Sequence, residues 1–555
     1  KEQLRRLPDG VTYGLLRYLN DDVDLAGADP PIGFNYLGRL GAGGSEVSGD
    51  IWEIRQDGWT VTGAAAAIPM PLMHTVELNA GTVDTDTGPH LRAGWTWALS
   101  ALDHAQVSRL SELWFDALTG ICAHVRAGGG GLTPSDIAPA RLTQQQIDEL
   151  CVPHRVADVL PLTPLQKGLL FHAGVAHSCG DDVYAVQLDV TLSGRLDPHR
   201  LRDAVHLAVQ RHPNLVARFC GQFDEPVQII PADPEMPWYY LDLSTHGVDV
   251  DTEIARLCAA ERVAVCDVAD QPAFRAALIR TAPDQHRFVL TNHHLVLDGW
   301  SLPVLLGEVF ASYYGQWLPA AVPYRRFVSW LGERDVAAAR AAWGEVLAGF
   351  DTPSVVGPPH GSPSGPREVV SHRLSEPITR ALGELARAHH TTVSTVLQAA
   401  WAQLLCSLTG HQDIAFGAVV SGRPDEVVGA DSMVGLFINT VPVRATMAST
   451  TTTADLLDQL RNGRNRTLDH EHLALSEIHR VTGQQRLFDT VFVYENYPTD
   501  AAKLSGDDGL AVTDLTNRDF YHYPLAIQAV PGTELDLRIQ YRADVFDEAA
   551  IAALA

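Results

Sequence analysis

The sequence has no apolar run long enough to span a bilayer and no N-terminal signal peptide. Basic residues are also scarce, since 41 Lys and Arg stand against 67 Asp and Glu, for a net charge of −26. This acidic balance argues against a nucleic-acid-binding protein, which would normally present a basic face. We therefore expect neither a membrane nor a nucleic acid as a partner.

Cysteines are few and lack the spacing of a disulfide framework. There are seven, at positions 122, 151, 179, 220, 258, 266 and 406, and no CxxC or HExxH motif accompanies them. An odd, scattered set fits a reducing cytosol, so we expect a cytoplasmic protein without a metal site.

The length of 555 residues allows several domains with large cores. Hydrophobic residues make up 46% of the chain and charged residues 19%, which is typical of a folded globular protein. The first residue is Lys rather than Met, and the last ten follow a helical pattern. We expect this chain to be a piece of a longer protein.

The segment HHLVLDG at residues 293–299 carries the clearest chemistry. The apolar run 288–290 before it predicts a buried strand, and Ser301 after it predicts the N-cap of a helix. Two adjacent histidines therefore lie on a strand-to-helix loop that ends in an Asp-Gly turn. Imidazole can give and take protons near neutral pH. A His-His pair on its own, however, is structural about as often as it is functional.

The full pattern HHxxxDG resembles the active-site motif of the condensation-domain superfamily of nonribosomal peptide synthetases. Further segments resemble the family's other motifs in the same order. They are TPLQKGLLFH (163–172), RHPNLVARF (211–219), YRRFVSW (324–330), VGLFINTVPVR (434–444), HEHL (470–473) and FDTVFVYENY (488–497).

This resemblance implies an α/β (α+β) fold, with the two lobes of a chloramphenicol-acetyltransferase-like condensation domain. A strand-helix-strand pattern that begins again after the Pro/Gly/Ser-rich stretch 353–366 agrees with two lobes. We place the N-terminal lobe at 158–350 and the C-terminal lobe at 351–555. The site is expected between them, because pockets tend to lie at such interfaces.

Residues 1–127 contain KEQLRRLPDGVTYGLLRYL and FNYLGR, which resemble the C-terminal part of an epimerization domain of the same superfamily. The resemblance implies that Asn35 and Tyr36 border an epimerization site. The family's catalytic His and Glu would precede residue 1, so this incomplete domain is not expected to epimerize. Residues 128–157 begin with four glycines and predict a solvated linker with a short helix at 143–150.

The opening TPLQKGLLFH resembles the subclass that takes a donor ending in a D-residue and an L-acceptor. An epimerization remnant immediately upstream agrees with that subclass. The implied reaction is acyl transfer, in which the amine of a carrier-bound aminoacyl acceptor attacks a carrier-bound donor thioester. The phosphopantetheine arms belong to partner carrier domains, and no cofactor is expected to bind directly.

His294 is the predicted catalytic residue, either as the acceptor of the proton as the C–N bond forms or as a group that holds the amine in line. His293 is expected to be structural and Gly299 to give backbone room near the carbonyl. Asp298 is expected to shape the loop by pairing with an arginine. Arg211 is the first choice and Arg218 the second. Two further residues, Tyr324 and Asn439, are predicted pocket residues.

Upstream and downstream peptidyl carrier domains and an adjacent adenylation domain are the implied partners. A non-catalytic recruiting module of the same fold is an alternative, although such relatives usually have a degraded histidine motif. Epimerization by this domain is a second alternative, but the family's epimerization motif reads HHxxxDGVSW and here Gly299 is followed by Trp300. Heterocyclization relatives replace the histidines with aspartates, and the multidomain layout disfavours a free-standing acyl-CoA acyltransferase.

Overall fold

A computed structural model describes residues 11–25, 27–40, 72–85, 88–127, 129–152, 155–177, 184–244, 249–357, 365–496 and 509–554. The chain divides into two compact units, Lys1–Gly131 and Leu132–Ala555. The sequence of residues 1–6 predicts a helix and the loose alternation from 52 to 79 predicts strands, but the first stretch and most of the second lie outside the described residues. In the part of the chain that the structure describes, no helix is both long and apolar enough to cross a membrane.

The first unit contains a three-stranded sheet in the order β1-β2-β3. Strand β1 (Ile32–Leu40) runs parallel to β2 (Val76–Thr85), and β3 (Gly88–Trp97) is antiparallel to β2. The unit also contains helices Thr12–Tyr18 and His104–Arg126. The second helix confirms the periodicity of the sequence, and Asp103 begins it with a capping box.

Asn35 and Tyr36, the predicted remnants of an epimerization site, both lie on β1 with exposed side chains. The hydroxyl of Tyr36 forms a 2.9 Å hydrogen bond with the hydroxyl of Thr82 on β2. Their place at the border of an epimerization site stays a prediction, and so does the expectation that this incomplete domain does not epimerize.

The second unit alternates strands and helices along its length. Its strands are β4 (Val156–Pro161), β5 (Ala185–Ser193), β6 (Arg218–Cys220), β7 (Val227–Pro231), β8 (Trp238–Asp242), β9 (Phe274–Ala282), β10 (Gln285–His293), β11 (Arg367–Leu374), β12 (Asp413–Val420), β13 (Asn439–Thr446), β14 (Thr490–Tyr494), β15 (Ala511–Arg518), β16 (Leu525–Val530) and β17 (Leu535–Arg542). Its helices are Gln144–Cys151, Pro164–His177, Pro198–Arg211, Val250–Ala264, Ser301–Tyr313, Arg325–Gly332, Val336–Val346, Glu376–Ala388, Val393–Thr409, Thr453–Thr467, Leu475–Thr482 and Glu548–Leu554.

Two large sheets organise this unit. One has the order β15-β5-β10-β9-β8 and the other has the order β11-β17-β16-β14-β12-β13. Strand β15 lies within the second lobe in sequence, between β14 and β16, but pairs with β5 in the sheet of the first lobe. Leu510 is buried in the first lobe's core, and Val512 and Leu515 pack against it. A single cut at residue 350 therefore does not separate the two lobes.

Residues 421–438 also pass from the second lobe to the core of the first lobe, and we call them the crossover segment. Its apolar side chains, including Met433, Leu436 and Phe437, are buried in the same core as Leu290 and Leu295 of the first lobe. This packing places the crossover segment against the loop that carries the two histidines.

Residues 132–152 are not the solvated connector that the sequence predicted. Ile137, Ile147 and Leu150 are buried with Val159 of β4 and Ile229 of β7 in one apolar cluster. Burying these side chains is favourable, and it fixes the stretch onto the domain. The predicted helix is confirmed as Gln144–Cys151, with Thr143 as its N-cap.

The first residues of the other helices show how well an N-cap can be recognised from the local sequence. Thr163 and Gln166 form the expected reciprocal hydrogen bonds before helix Pro164–His177, and Asp197 caps helix Pro198–Arg211. The N-cap prediction for Ser301 is wrong, because Ser301 is the first residue of its helix and Trp300 precedes it as the cap. The Ser301 hydroxyl contacts the crossover segment instead.

Candidate active site

Strand β10 ends at His293, whose side chain is fully buried. The backbone N–H of His293 donates to Ala273 O at 2.8 Å, which continues the sheet. Its Nδ1 accepts a 3.1 Å hydrogen bond from the N–H of Leu295. These contacts give His293 the structural place that the sequence analysis expected, since the ring braces the turn of the loop.

His294, the next residue of the same loop, lines a cavity. Its backbone N–H donates to Tyr184 O at 2.9 Å, and its Nδ1 lies 3.0 Å from Leu297 O. Because a carbonyl only accepts, Nδ1 carries the proton in this contact. Nε2 is then the nitrogen left for chemistry.

The nearest charged partner of Nε2 is Asp519, whose Oδ1 lies 3.4 Å away. Both side chains are 12% exposed, so solvent screens the pair weakly. Burial opposes the charged imidazolium, but Asp519, together with Leu297 O and the carboxylate of Asp298, outweighs it and raises the pKa of His294 above its ordinary 6.5. This arrangement stabilises the imidazolium form of His294 relative to that of a free histidine side chain.

Asp298 holds the loop through both of its carboxylate oxygens. Oδ1 accepts from the N–H of Ser301 at 2.8 Å, and Oδ2 accepts from the N–H of Phe437 at 2.8 Å. The guanidinium of Arg423 lies 3.5 Å from Oδ1, with the two side chains 0% and 3% exposed. Asp298 therefore ties the histidine loop to the crossover segment.

Arg423 is fixed on several sides. It donates to Ser301 Oγ at 2.7 Å, to Met433 O at 3.1 Å and to Ala430 O, and its guanidinium lies 4.0 Å from the ring centroid of Phe437. Burial lowers the pKa of Arg423 despite the carboxylate of Asp298. The residue is a rigid cationic anchor for the crossover segment.

The prediction that Arg211 pairs with Asp298 is wrong. Arg211 makes two hydrogen bonds to the carboxylate of Glu308, at 2.7 and 3.0 Å, and a third to Pro319 O. Arg218, the second choice, lies on β6 and is likewise not the guanidinium at Asp298. Both belong to the family-like motif RHPNLVARF, which precedes the histidines, whereas the true partner follows Asp298 by 125 residues.

Tyr324 and Asn439, predicted as pocket residues, do not line this cavity. Tyr324 is buried, and its hydroxyl donates to Leu436 O at 2.5 Å. The nearest ring atom of Tyr324 is 2.5 Å from where a Cβ on Gly435 would be, so only glycine fits there. Asn439 donates to the carbonyls of Glu471 and Leu473 at 2.7 and 2.9 Å, so it supports the wall from behind.

Two other family-like motifs support the histidine loop and the crossover segment. Gln166, in TPLQKGLLFH, donates from Nε2 to Leu295 O at 2.7 Å. Asn214, in RHPNLVARF, donates to Val434 O at 3.0 Å. Both side chains are buried, so each satisfies a backbone carbonyl that would otherwise be costly to bury.

The cavity has a volume of about 400 Å³. Its wall includes Gly299, beside His294. Val186 and Asn292 of β5 and β10 also line it, as do Asn517 of β15 and Asp519 just after that strand. The second lobe adds the ends of β12 to β14 and two helices, Val393–Thr409 and Thr453–Thr467, and its wall residues include Gln398, Val420, Ile438, Arg464, Thr467, Glu471 and Tyr494. The cavity therefore lies where the two sheets meet.

Glu471 is a titratable group on the second lobe's side of the cavity. Burial raises the pKa of its carboxyl to about 7, against the opposing charge of Arg464, whose Nε lies 3.8 Å away. Over the described ranges, no three His, Cys, Asp or Glu side chains converge in a way that could hold a metal ion.

Sequence reasoning missed Arg423, Asp519, Asn517 and Glu471 as site residues. The available signals were local: Gly422-Arg423 precedes the VGLFINT motif, and Asp519 comes directly after strand β15. Neither signal says which distant residue will be the partner. The five-stranded sheet supplies that information.

A family model for the condensation domain matches residues 156–555. Vanchrobactin synthetase VabF of Vibrio anguillarum is 32% identical over 98% of this chain, and chondramide synthase cmdD of Chondromyces crocatus is 31% identical over 97% of it. The chain spans only 20% and 15% of the lengths of these two relatives.

Solved condensation domains share the fold. The first condensation domain of the calcium-dependent antibiotic synthetase, in complex with a substrate analogue, has a TM-score of 0.60 at 20% identity, and the match covers 72% of this chain and 94% of that one. The condensation domain of the Monacolin K polyketide synthase has a TM-score of 0.61 at 17% identity, over 72% and 96%. The predicted mixed α/β condensation fold is confirmed, and the chain belongs to the condensation-domain family, of the kind found in nonribosomal peptide synthetases.

Proposed function

We propose that this chain forms amide bonds between two carrier-bound substrates. The donor is a peptidyl or aminoacyl thioester, the acceptor is an aminoacyl thioester, and each hangs from the phosphopantetheine arm of a peptidyl carrier domain. The observation that carries the proposal is His294, whose Nδ1 is fixed by Leu297 O and whose Nε2 is available in a cavity at the meeting of the two sheets. A rigid ring at a buried cavity suits a reaction that depends on positioning.

The chemistry needs the acceptor amine in its neutral form. An α-amino group has an ordinary pKa of about 7.7–8.0, so a minor fraction is neutral at pH 7. His294 is the residue that takes a proton from the nitrogen as the C–N bond forms, or that holds the amine in line. Asp298 and Gly299 act on the loop rather than on the substrate: Asp298 fixes its shape and Gly299 leaves room beside the ring.

The donor is proposed to end in a D-residue and the acceptor to be an L-residue. Two separate parts of the chain support this: the TPLQKGLLFH opening of the second unit, and the resemblance of residues 1–127 to the end of an epimerization domain. An adenylation domain and carrier domains next to this chain are the proposed partners.

The test uses separately loaded carriers and the whole chain, with amide product detected by mass spectrometry. The donor carries either a D- or an L-terminal residue, and several acceptor residues are tried. A product formed mainly from the D-donor supports both the reaction and the subclass. Equal use of both donors leaves the reaction standing and contradicts the stereochemistry.

Absence of product from every well-loaded pair, with folded protein, favours the alternative of a non-catalytic recruiting module. Inversion of the terminal residue of the donor without amide formation would instead favour epimerization. These outcomes are distinguished by chiral analysis of the donor recovered after the reaction.

A further inference from the structure

Two buried oxygen atoms in the cavity wall have no hydrogen-bond partner. They are Oδ1 of Asn517 and Oδ1 of Asp519. Buried oxygen acceptors are nearly always paired in folded proteins, because leaving them unpaired costs free energy. Oδ1 of Asp519 has only its 3.4 Å ion-pair contact with Nε2 of His294, and Oδ1 of Asn517 makes no hydrogen bond. A buried carboxylate oxygen and a buried amide oxygen in the wall of one cavity therefore indicate a site for a ligand that donates hydrogen bonds.

The sheet register explains why these atoms lie together near His294. Asn517 and Arg518 of β15 pair with Leu188 and Gln187 of β5, which in turn pair with Leu290 and Thr291 of β10. One row further along, Asp519 follows β15 where Asn292 approaches the end of β10. Alternate residues of a strand share a face, so Asn517 and Asp519 both point into the cavity.

The backbone at this point is held independently of the cavity. Gln540 on β17 donates from Nε2 to Asp519 O at 2.9 Å and accepts from the N–H of Tyr521 at 3.3 Å. The Asp519 side chain is therefore positioned by a contact that does not use its carboxylate.

We propose that Asn517 and Asp519, together with His294, bind the α-ammonium group of the carrier-bound acceptor. This inference rests on the proposed amide-forming function. An ammonium offers three N–H donors and a positive charge, which match one neutral and one anionic acceptor. The donor thioester carbonyl offers no N–H, and the bound nitrogen must lie within reach of Nε2, which is 3.4 Å from Asp519 Oδ1.

The same contact gives the proton a route. In the absence of substrate, Asp519 favours the imidazolium form of His294. An arriving ammonium replaces the imidazolium as the counter-ion of Asp519, and the nearby positive charge drives the His294 proton into solvent. Neutral Nε2 then accepts a proton from the ammonium, and the freed amine attacks the donor carbonyl.

Attack of the amine forms the C–N bond and gives a tetrahedral intermediate. The C–S bond breaks as that intermediate collapses. The nitrogen loses two protons in total between ammonium and amide. One ends on the leaving thiolate, through His294, and the other ends in solvent. No oxidant, metal or further reactant is needed.

The test measures binding, so that it stands apart from turnover. The probes are glycyl-pantetheine and hydroxyacetyl-pantetheine in which an amide replaces the thioester, so neither reacts and both lack a side chain. The whole chain should bind the glycyl probe more tightly than the hydroxyacetyl probe by roughly tenfold or more at pH 7, as expected for hydrogen bonds to a charged group. Calorimetry gives both constants.

Asp519→Asn keeps the shape of the side chain and removes its charge. In this variant the preference for the glycyl probe should shrink to near unity, while binding of the hydroxyacetyl probe should be unchanged. Asp514→Asn is the matched control, because it makes the same change at an exposed position of the same strand and should leave the preference intact. Asn517→Ala should reduce the preference in part.

A preference that is unaltered in Asp519→Asn overturns the inference, and so does a wild-type protein that does not discriminate between the probes, including one that binds neither. Amide formation by wild type alongside either result would leave the proposed function standing. A charge-dependent preference without any amide product would support the ammonium site and contradict the proposed amide-forming function.

Discussion

The carboxylate of Asp298 and the guanidinium of Arg423 form an ion pair that is shielded from solvent, although 125 residues separate them in sequence. Asp298 lies near the end of the HHLVLDG motif, and Arg423 lies near the start of the crossover segment. The pair therefore couples the shape of the histidine loop to the packing of the two lobes. The behaviour of its variants follows from that position.

Arg423→Met should destabilise the protein by about 3 to 5 kcal/mol, because it leaves the Asp298 charge buried without its partner. Unfolding of wild type and variant in urea gives the difference. The double variant Asp298→Asn with Arg423→Met should recover part of the loss, since no buried charge is then unpaired. A single variant as stable as wild type would contradict the assignment.

Arg211→Met should behave differently, because Arg211 supports Glu308 away from the histidine loop. Burial alone would raise the pKa of Glu308, but hydrogen bonds from His212 and Arg211 lower it to about 2. We expect a loss of about 1.5–3 kcal/mol at pH 7, with the rate of amide formation unchanged. Arg202→Met, at an exposed position of the same helix, is the control.

The pH dependence of that loss has a defined sign. Glu308 has a lower pKa in the folded chain than its ordinary 4.5, so its ion pair stabilises the fold fully above pH 4.5. The contribution disappears as the pH falls from 4.5 towards 2. The difference in stability between wild type and Arg211→Met should shrink over this range, and a difference that grows there would contradict the pairing.

Much of the fold and the loop could be predicted from sequence because the signals are local. The apolar run before His293, the helix after Gly299 and the capping pattern of Thr163 each lie within a few residues of what they predict. Ser301 shows the limit, since a residue suited to an N-cap was used instead to bind Gly435 of the crossover segment.

The partners in the site could not be predicted, because they depend on which strand joins which sheet. Nothing in the local sequence of residues 511–518 assigns β15 to the sheet of the first lobe, and that placement brings Asp519 to His294. For the same reason no local signal identifies Arg423, rather than Arg211 of the RHPNLVARF motif, as the partner of Asp298. The burial of residues 132–152 likewise depends on β4 and β7, which lie further along the chain.

Glu471→Gln should stabilise the protein above pH 7. The pKa of this carboxyl is raised from 4.5 to about 7 in the folded chain, so between these values the unfolded chain loses its proton first. Wild-type stability therefore falls as the pH rises from 4.5 to 7, by on the order of 3 kcal/mol, and the variant lacks this slope.

Melting temperatures of wild type and Glu471→Gln at pH 5 and pH 8 give the comparison. The advantage of the variant should be larger at pH 8. Glu384→Gln, at an exposed position of helix Glu376–Ala388, should show no such trend. An advantage of Glu471→Gln that is equal at both values would contradict the raised pKa.

Asp519→Asn should lower the pKa of His294. The carboxylate is the largest of the influences that favour the imidazolium, and they act against burial. The titration of His294 in labelled protein can be followed by NMR, with His294→Gln to identify its signal among the 23 histidines. A His294 pKa that stays above 6.5 in Asp519→Asn would show that another group holds the proton.

The most direct test of the central claim is single-turnover amide formation by wild type and His294→Gln with the same loaded carriers. The account predicts a fall of about 10²- to 10⁴-fold in rate, the range for loss of a group that transfers a proton, without loss of thermal stability. His372→Gln, at an exposed position of β11, should react like wild type. A folded His294→Gln variant with a rate close to wild type would contradict the claim that His294 carries the chemistry.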